Sequence, residues 1–286
     1  MKNIGFIGVG YMGYGIAKNI LKSKHKLFVV ANKNRKPIDK IIGDGAIEVK
    51  SLNEFSNKKL DALFICVTNT PIAKSISQKM CTILNSGTIV IDITTHNKIG
   101  SIETEEIYKS KNINYIECPV MGGPVQAEEG VLGGIIGGSE DNFKLAEPYL
   151  KIFCKNYFHF GPVGMGAKSK LLNNFLTLGN AVLINHLAKT AKELGLDLKK
   201  IYEVAKLGSG NSTALKRIFD NLLKEDYTGF KFTASNSVKD FTYIQDLLKE
   251  FPEAEKIAKV NKEYFEKAVN DGFGEDEIQF FSETDF

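Results

Sequence analysis

Arginine is nearly missing from this chain: among 37 basic residues only Arg35 and Arg217 are arginines. A guanidinium grips phosphate or carboxylate with two parallel N–H bonds, which an ammonium cannot copy. The protein therefore cannot build a site from several planar clamps. Cysteines are few and scattered (Cys66, Cys81, Cys118 and Cys154) and form no CxxC pair, which predicts buried reduced thiols rather than a disulfide framework. The four histidines, His25, His96, His159 and His186, lack ligand spacing, so no metal is expected. No apolar run approaches the roughly 20 residues of a bilayer span, and no charged leader precedes a hydrophobic stretch. The expectation is a soluble, cytoplasmic protein with no membrane partner. With 37 basic against 34 acidic side chains, a net charge of +3, nothing in the electrostatics suggests nucleic acid either.

What is present is a chain of 286 residues, 43% hydrophobic, long enough for two domains. Short apolar runs at 3–8, 26–31, 61–67, 88–93 and 114–119 alternate with segments of helical spacing such as 13–23 and 71–84. Continuous apolar strands separated by helices predict a parallel sheet covered on both faces. Two further strand-like stretches, 131–138 and 156–161, flank a helix at 139–154 that opens on Ser139 with acids in its first turn. From residue 163 the strands stop. Apolar residues recur at helical spacing from 167 to 194, and more helices are expected near 197–207, 211–224, 233–251 and 253–271. The predicted organisation is an α/β Rossmann-type N-terminal domain over 1–162, followed by an all-α C-terminal domain over 163–286.

The first strand runs directly into Gly8-Val-Gly10-Tyr11-Met12-Gly13. The first glycine permits a tight turn, the second lets backbone approach a pyrophosphate, and the third lets the new helix pack on the strand. Phosphate would then meet free N–H groups at the positive end of that helix. This context predicts dinucleotide binding through Gly8, Gly10, Tyr11, Met12 and Gly13. The second strand ends in Ala31-Asn32-Lys33-Asn34-Arg35-Lys36, with no carboxylate to hold a ribose 2′-hydroxyl. Asn32 can bond a ribose without repelling a 2′-phosphate, and Lys33 or Arg35 can pair with one, so NADP is favoured over NAD.

Two later stretches suggest an adjoining site. Gly122 and Gly123 follow the last parallel strand, where bare backbone can offer N–H groups to an anion. In GPVGMGAKSKLLNN, residues 161–174, Lys170 shares a helical face with Asn174 and lies close to Asn173. Lys168 has only Leu171 and Leu172 at those offsets. If one lysine of this stretch enters a polar site, spacing selects Lys170.

GFIGVGYMG, CPVMGGPVQAEEG, GMGAKSKLLNN and the later GFKFTASNSVKD occur in an order and spacing that resembles the β-hydroxyacid dehydrogenase family over almost the whole chain. The resemblance implies hydride transfer between NADP or NAD and a small substrate carrying a carboxylate, and a homodimer or homotetramer. It also implies roles for individual residues. Lys170 takes the place of the catalytic lysine and Asn174 that of the substrate-orienting asparagine, with Gly122 and Gly123 as substrate-loop glycines. Val67, Thr68 and Asn69 match the loop beneath the cofactor, Thr95 the position beside the nicotinamide, and Lys239 the lysine that closes over the cofactor. Met121 departs from the family, which usually has a serine there to help hold the carboxylate; a thioether cannot replace that hydrogen bond. Asn32 departs too, since NAD-preferring relatives resemble a VxD pattern. Two other functions stand beside this one: imine reduction on the same scaffold, and a non-catalytic NADP-binding sensor or partner.

Overall fold

The computed structural model describes residues 1–32 and 34–282. It divides into two compact units, Met1–Lys170 and Leu171–Phe286.

The first unit opens with β1 (Asn3–Ile7), α1 (Tyr11–Lys22), β2 (Lys26–Val30), α2 (Lys36–Gly43) and β3 (Ile47–Val49). It continues through β4 (Ala62–Ile65), α3 (Thr70–Met80), β5 (Ile89–Asp92), α4 (Gly100–Lys109) and β6 (Asn114–Glu117). These six strands form one parallel sheet in the order β3-β2-β1-β4-β5-β6. The chain reverses its direction of travel across the sheet between β1 and β4, and such a switch leaves a crevice beyond the strand ends. The strands are buried because both faces are covered. Ile4, Phe6, Phe64 and Ile91 pack on one side, and Ile7, Leu63, Val90 and Tyr115 on the other.

A second sheet follows from β7 (Val120–Met121), α5 (Pro124–Glu129), β8 (Leu132–Ile136), α6 (Glu140–Phe153) and β9 (Cys154–His159). Its order is β7-β8-β9, with β7 antiparallel and β9 parallel to β8. A single antiparallel bridge from Glu117 to Gly137 joins it to the end of β6. Ser139 caps α6 as its sequence suggested, accepting from the Asn142 N–H at 3.2 Å.

Helix α7 (Met165–Glu193) starts in the first unit and ends in the second. Composition changes at residue 163, just before this helix, whereas the compact units divide between Lys170 and Leu171. The cause is local. The Gly164 and Gly166 N–H groups at the helix start donate to Glu117 of β6 at 2.6 and 2.8 Å, so the first turn belongs with the sheet.

The second unit adds α8 (Leu198–Leu207), α9 (Thr213–Leu222), α10 (Ala234–Leu248) and α11 (Pro252–Asn270). Asp197, Ser212 and Thr233 cap α8, α9 and α10 with side-chain oxygens. Leu215, Phe219, Phe241, Ile244 and Phe265 fill its core, where Phe241 and Phe265 stack at 6.0 Å.

In the first unit Phe64 is fully buried, stacked on Phe6 at 5.7 Å and edge-on to Phe153 at 5.9 Å. Removing such a ring costs about 3–5 kcal/mol through lost transfer energy and the cavity it leaves. Phe64→Ala should therefore show that loss in urea denaturation of the full chain.

Candidate active site

The glycine turn has the geometry that its spacing implied. Gly8 holds φ +100°, and a Cβ there would strike the Cys66 carbonyl of the next strand. Gly13 is packed from the other side: a Cβ would run into the Gly8 carbonyl oxygen and come within 3.0 Å of the Phe6 ring. Gly10 is different. It is exposed, and a Cβ would meet nothing within 4 Å. Gly8 and Gly13 thus close the turn, while Gly10 leaves bare backbone in front of α1. That helix starts at Tyr11 without any side-chain cap on its N–H groups, so they remain available to an anion. Tyr11 is 88% exposed, and Met12 packs against the core.

Beside this turn lies a cleft of about 570 Å³, lined by Gly8, Gly10, Ala31, Asn32, Val67 and Thr68 among others. Among the described residues lining it, none is charged. Asn32 is one of its lining residues. Lys33 lies outside the described residues. Arg35 is directed elsewhere: its Nε and Nη2 donate to Asp39 at 3.1 and 2.7 Å, and Nη1 and Nη2 to Glu48 at 2.8 and 3.2 Å. Both carboxylates hold the guanidinium further in its charged form. The Val67 N–H donates to the Thr94 hydroxyl at 3.3 Å, and Asn69 caps α3 by accepting from the Ile72 N–H at 3.0 Å. Cys66, on the cleft wall, has its thiol pushed up to about 12, by burial first and by the charge of Asp92 second.

Thr95 is half-buried and sits in a loop tied down by neighbours that sequence reasoning passed over. Asp92, at the end of β5, accepts from the Thr94 N–H at 3.0 Å and the Tyr115 hydroxyl at 3.3 Å. His96 Nε2 lies 2.9 Å from the same carboxylate, and both side chains are fully buried. Burial, with the Asp92 charge next, pushes the Tyr115 phenol well above its ordinary value, so it stays a donor.

The lysine is placed just as specifically. Lys170 Nζ donates to the Val120 carbonyl oxygen at 2.8 Å and lies 3.5 Å from Met121 Sδ. It therefore stands at the strand that leads into Gly122 and Gly123. Gly122 holds φ +115°, where a side chain would be strained and would also meet Leu132. The Gly123 N–H is already used: it donates to Gln126 Oε1 at 2.9 Å. Bare backbone is thus offered at Gly122, while an anion reaching Gly123 must displace a side-chain amide.

Asn174 and Lys239 are organised within the second unit. Asn174 Nδ2 donates to Asp240 Oδ2 at 2.6 Å in a buried setting, and Lys239 Nζ lies 2.9 Å from Asp240 Oδ1. Asp240 orients both candidates.

Two families of known proteins match successive parts of the chain. Residues 3–161 match the NAD binding domain of 6-phosphogluconate dehydrogenase, and residues 164–281 match the NAD-binding domain of NADP-dependent 3-hydroxyisobutyrate dehydrogenase. The chain is 30% identical over 206 residues to a probable mitochondrial 3-hydroxyisobutyrate dehydrogenase of Dictyostelium discoideum, covering 70% of this chain and 63% of that one. It is 27% identical over 213 residues to the mitochondrial 3-hydroxyisobutyrate dehydrogenase of Drosophila melanogaster, covering 74% and 65%. The chain thus spans under two thirds of the length of both relatives. In fold it superposes on Mycobacterium tuberculosis 3-hydroxyisobutyrate dehydrogenase, solved with L-serine, at a TM-score of 0.87 with 18% identity, covering 99% and 98% of the two chains.

The glycines differ in packing: a Cβ is blocked at Gly13 and meets nothing at Gly10. Gly10→Ala should leave the melting temperature unchanged while weakening NAD(P)H binding about tenfold, a loss of about 1.4 kcal/mol. Gly13→Ala should lower both. Fluorescence titration and thermal unfolding of the two variants check this.

Proposed function

The chain belongs to the β-hydroxyacid dehydrogenase family, and on that premise we propose that it is an NAD(P)-dependent oxidoreductase. It moves hydride between the nicotinamide and a β-hydroxyacid or short aldehyde or keto acid, with Lys170 as general acid in reduction and general base in oxidation. The observation that carries this reading is the Lys170 amine, 2.8 Å from the Val120 carbonyl oxygen at the head of the Met121-Gly122-Gly123 segment.

The glycine turn fits a dinucleotide, because Gly8 and Gly13 close it and Gly10 leaves its face bare. Bound there, the cofactor supplies the hydride. The chain supplies position and a proton. In reduction, an ammonium at Lys170 gives a proton to the carbonyl oxygen as it gains charge. In oxidation, the neutral amine takes that proton from the alcohol. Asn174, held by Asp240, orients substrate oxygens without adding charge. Asp92 and His96 hold the loop of Thr95, and Thr95, Val67, Thr68, Asn69 and Lys239 would be the residues that bind the cofactor. Gly122 offers its N–H to the carboxylate. Met121 stands where a hydroxyl would add a second bond, so the favoured substrate is bulkier or less polar than the smallest hydroxyacids.

For the cofactor we retain NADP. Asn32 carries no charge to repel a 2′-phosphate. The pairs holding Arg35 are exposed, and exposed pairs are weak, so a bidentate phosphate can take the guanidinium from them.

A homodimer or homotetramer is proposed with it. It is supported by Leu172, Leu176, Leu183 and Leu187, a row of exposed apolar side chains along α7. A cytoplasmic location is supported by the four unpaired cysteines. No helix among the described residues is long and apolar enough to cross a membrane. Imine reduction is disfavoured by the lysine itself, and a non-catalytic sensor has no use for a proton donor.

Lys170→Ala should lower turnover about 10²–10⁴-fold, the usual contribution of a general acid, with nucleotide affinity little changed. Lys168→Ala, one of the neighbouring lysines, should leave turnover within twofold. Steady-state assays with glyoxylate, succinic semialdehyde and bulkier keto acids read both. Nucleotide binding without turnover of any of these acids would favour the sensor instead. Titration should find NADPH bound more tightly than NADH, and Arg35→Ala should bring the two affinities together; tighter NADH binding by the native chain contradicts the cofactor assignment.

A further inference from the structure

We infer that Glu117 is a positioning residue for Lys170: its buried carboxylate caps the start of α7 and so sets where the lysine amine stands against the Val120–Gly123 segment. The inference rests on Lys170 being the proton donor.

A helix exposes unpaired N–H groups in its first turn, and a Ser, Thr, Asp or Asn just before it usually accepts from them. Helix α7 has none of these. It starts after Gly164, and its first turn holds no acidic residue. The missing oxygen comes from another element. Glu117 Oε1, at the end of β6, accepts from the Gly164 N–H at 2.6 Å and the Gly166 N–H at 2.8 Å. Bonds to an anionic oxygen are stronger than neutral ones, and the positive end of a helix favours that charge.

The surroundings are shaped around this carboxylate. Glu117 is fully buried. A Cβ on Gly137 would come within 2.9 Å of its carboxyl carbon, and one on Gly166 within 3.0 Å of Oε1. Gly164 holds φ +96°, which turns its N–H inward at a place where a Cβ would press on Ile102 at 2.8 Å. Burial pushes the Glu117 carboxyl above its ordinary value, while the Ser101 hydroxyl and the Gly164 and Ala167 N–H groups pull it back. The helix start thus offsets part of the cost of burying the charge.

Lys170 follows Gly166 by one turn, and its Nζ bonds Val120, three residues after Glu117 on the same segment. The helix is therefore attached to residues 117–121 twice, once through its backbone and once through the lysine tip. The backbone attachment fixes the base of a long flexible side chain. Without it the amine can shift, and misplacement by about 1 Å can cost about 10²-fold in rate.

The test is a double-mutant cycle on kcat in the full chain, with NADPH saturating and an aldehyde acid that the native protein reduces. Glu117→Ala should lower kcat about 10–100-fold while the NADPH dissociation constant stays within about twofold. In a Lys170→Ala background the same change should alter the residual rate less than about twofold, because there is no amine left to misplace. Glu117→Gln keeps an acceptor oxygen at the same reach and should recover most of the rate. Should the alanine variant lose nucleotide binding, Glu117→Gln carries the cycle, with a smaller loss of about threefold expected only when Lys170 is present. Equal losses with and without Lys170, or kcat within threefold of native in Glu117→Ala, overturn the inference while the proton-donor reading stands. A Lys170→Ala variant as active as the native protein overturns that reading, and this inference with it.

Discussion

The hydrogen bond from Lys170 Nζ to the Val120 carbonyl oxygen, 2.8 Å long, is the constraint on which the site depends. A lysine on a helix surface ordinarily samples many rotamers, at an entropy of up to about 2 kcal/mol. Here the amine donates to the Val120 carbonyl, next to a glycine pair whose first member is forced into a left-handed conformation. The same segment carries Glu117, which accepts from the backbone at the start of the lysine's helix. Lys170 and the Met121-Gly122-Gly123 segment are thus parts of one bonded unit.

That unit can exist because of where the sheet places strand ends. Parallel strands deliver all their carboxyl ends to one edge, so Gly8, Cys66, Asp92 and Glu117 emerge together from β1, β4, β5 and β6. Asp92 and Glu117 are register partners there, two buried acids side by side. Each is held differently, Asp92 by Thr94, His96 and Tyr115, and Glu117, through Oε1, by the start of α7. Different partners let neighbouring carboxylates serve separate tasks, one holding the loop of Thr95 and the other the helix of Lys170.

Much of this was legible in the amino-acid order. GxGxxG after an apolar strand pointed to the turn because each glycine answers a separate demand, and the structure has those steric demands at Gly8 and Gly13. Helical spacing singled out Lys170 over Lys168. The rest depends on contacts too distant in sequence to form a pattern. Glu117 looked like the tail of a strand, because its partners lie 47 and 49 residues away. Arg35 gave no sign of its Glu48 partner, because Glu48 reaches it from β3, a three-residue strand with two exposed positions that no alternation could announce. Gln126 was invisible as the acceptor for the Gly123 N–H, since any polar side chain early in a helix has the same appearance.

The most direct measurement of the central claim is a crystal structure of the full chain with NADP and a short hydroxyacid bound. The account predicts Lys170 Nζ within hydrogen-bond reach of the substrate hydroxyl, about 2.6–3.2 Å, with Gly122 facing the carboxylate. A hydroxyl bonded to some other donor, with the Lys170 amine turned away from it, would contradict the account.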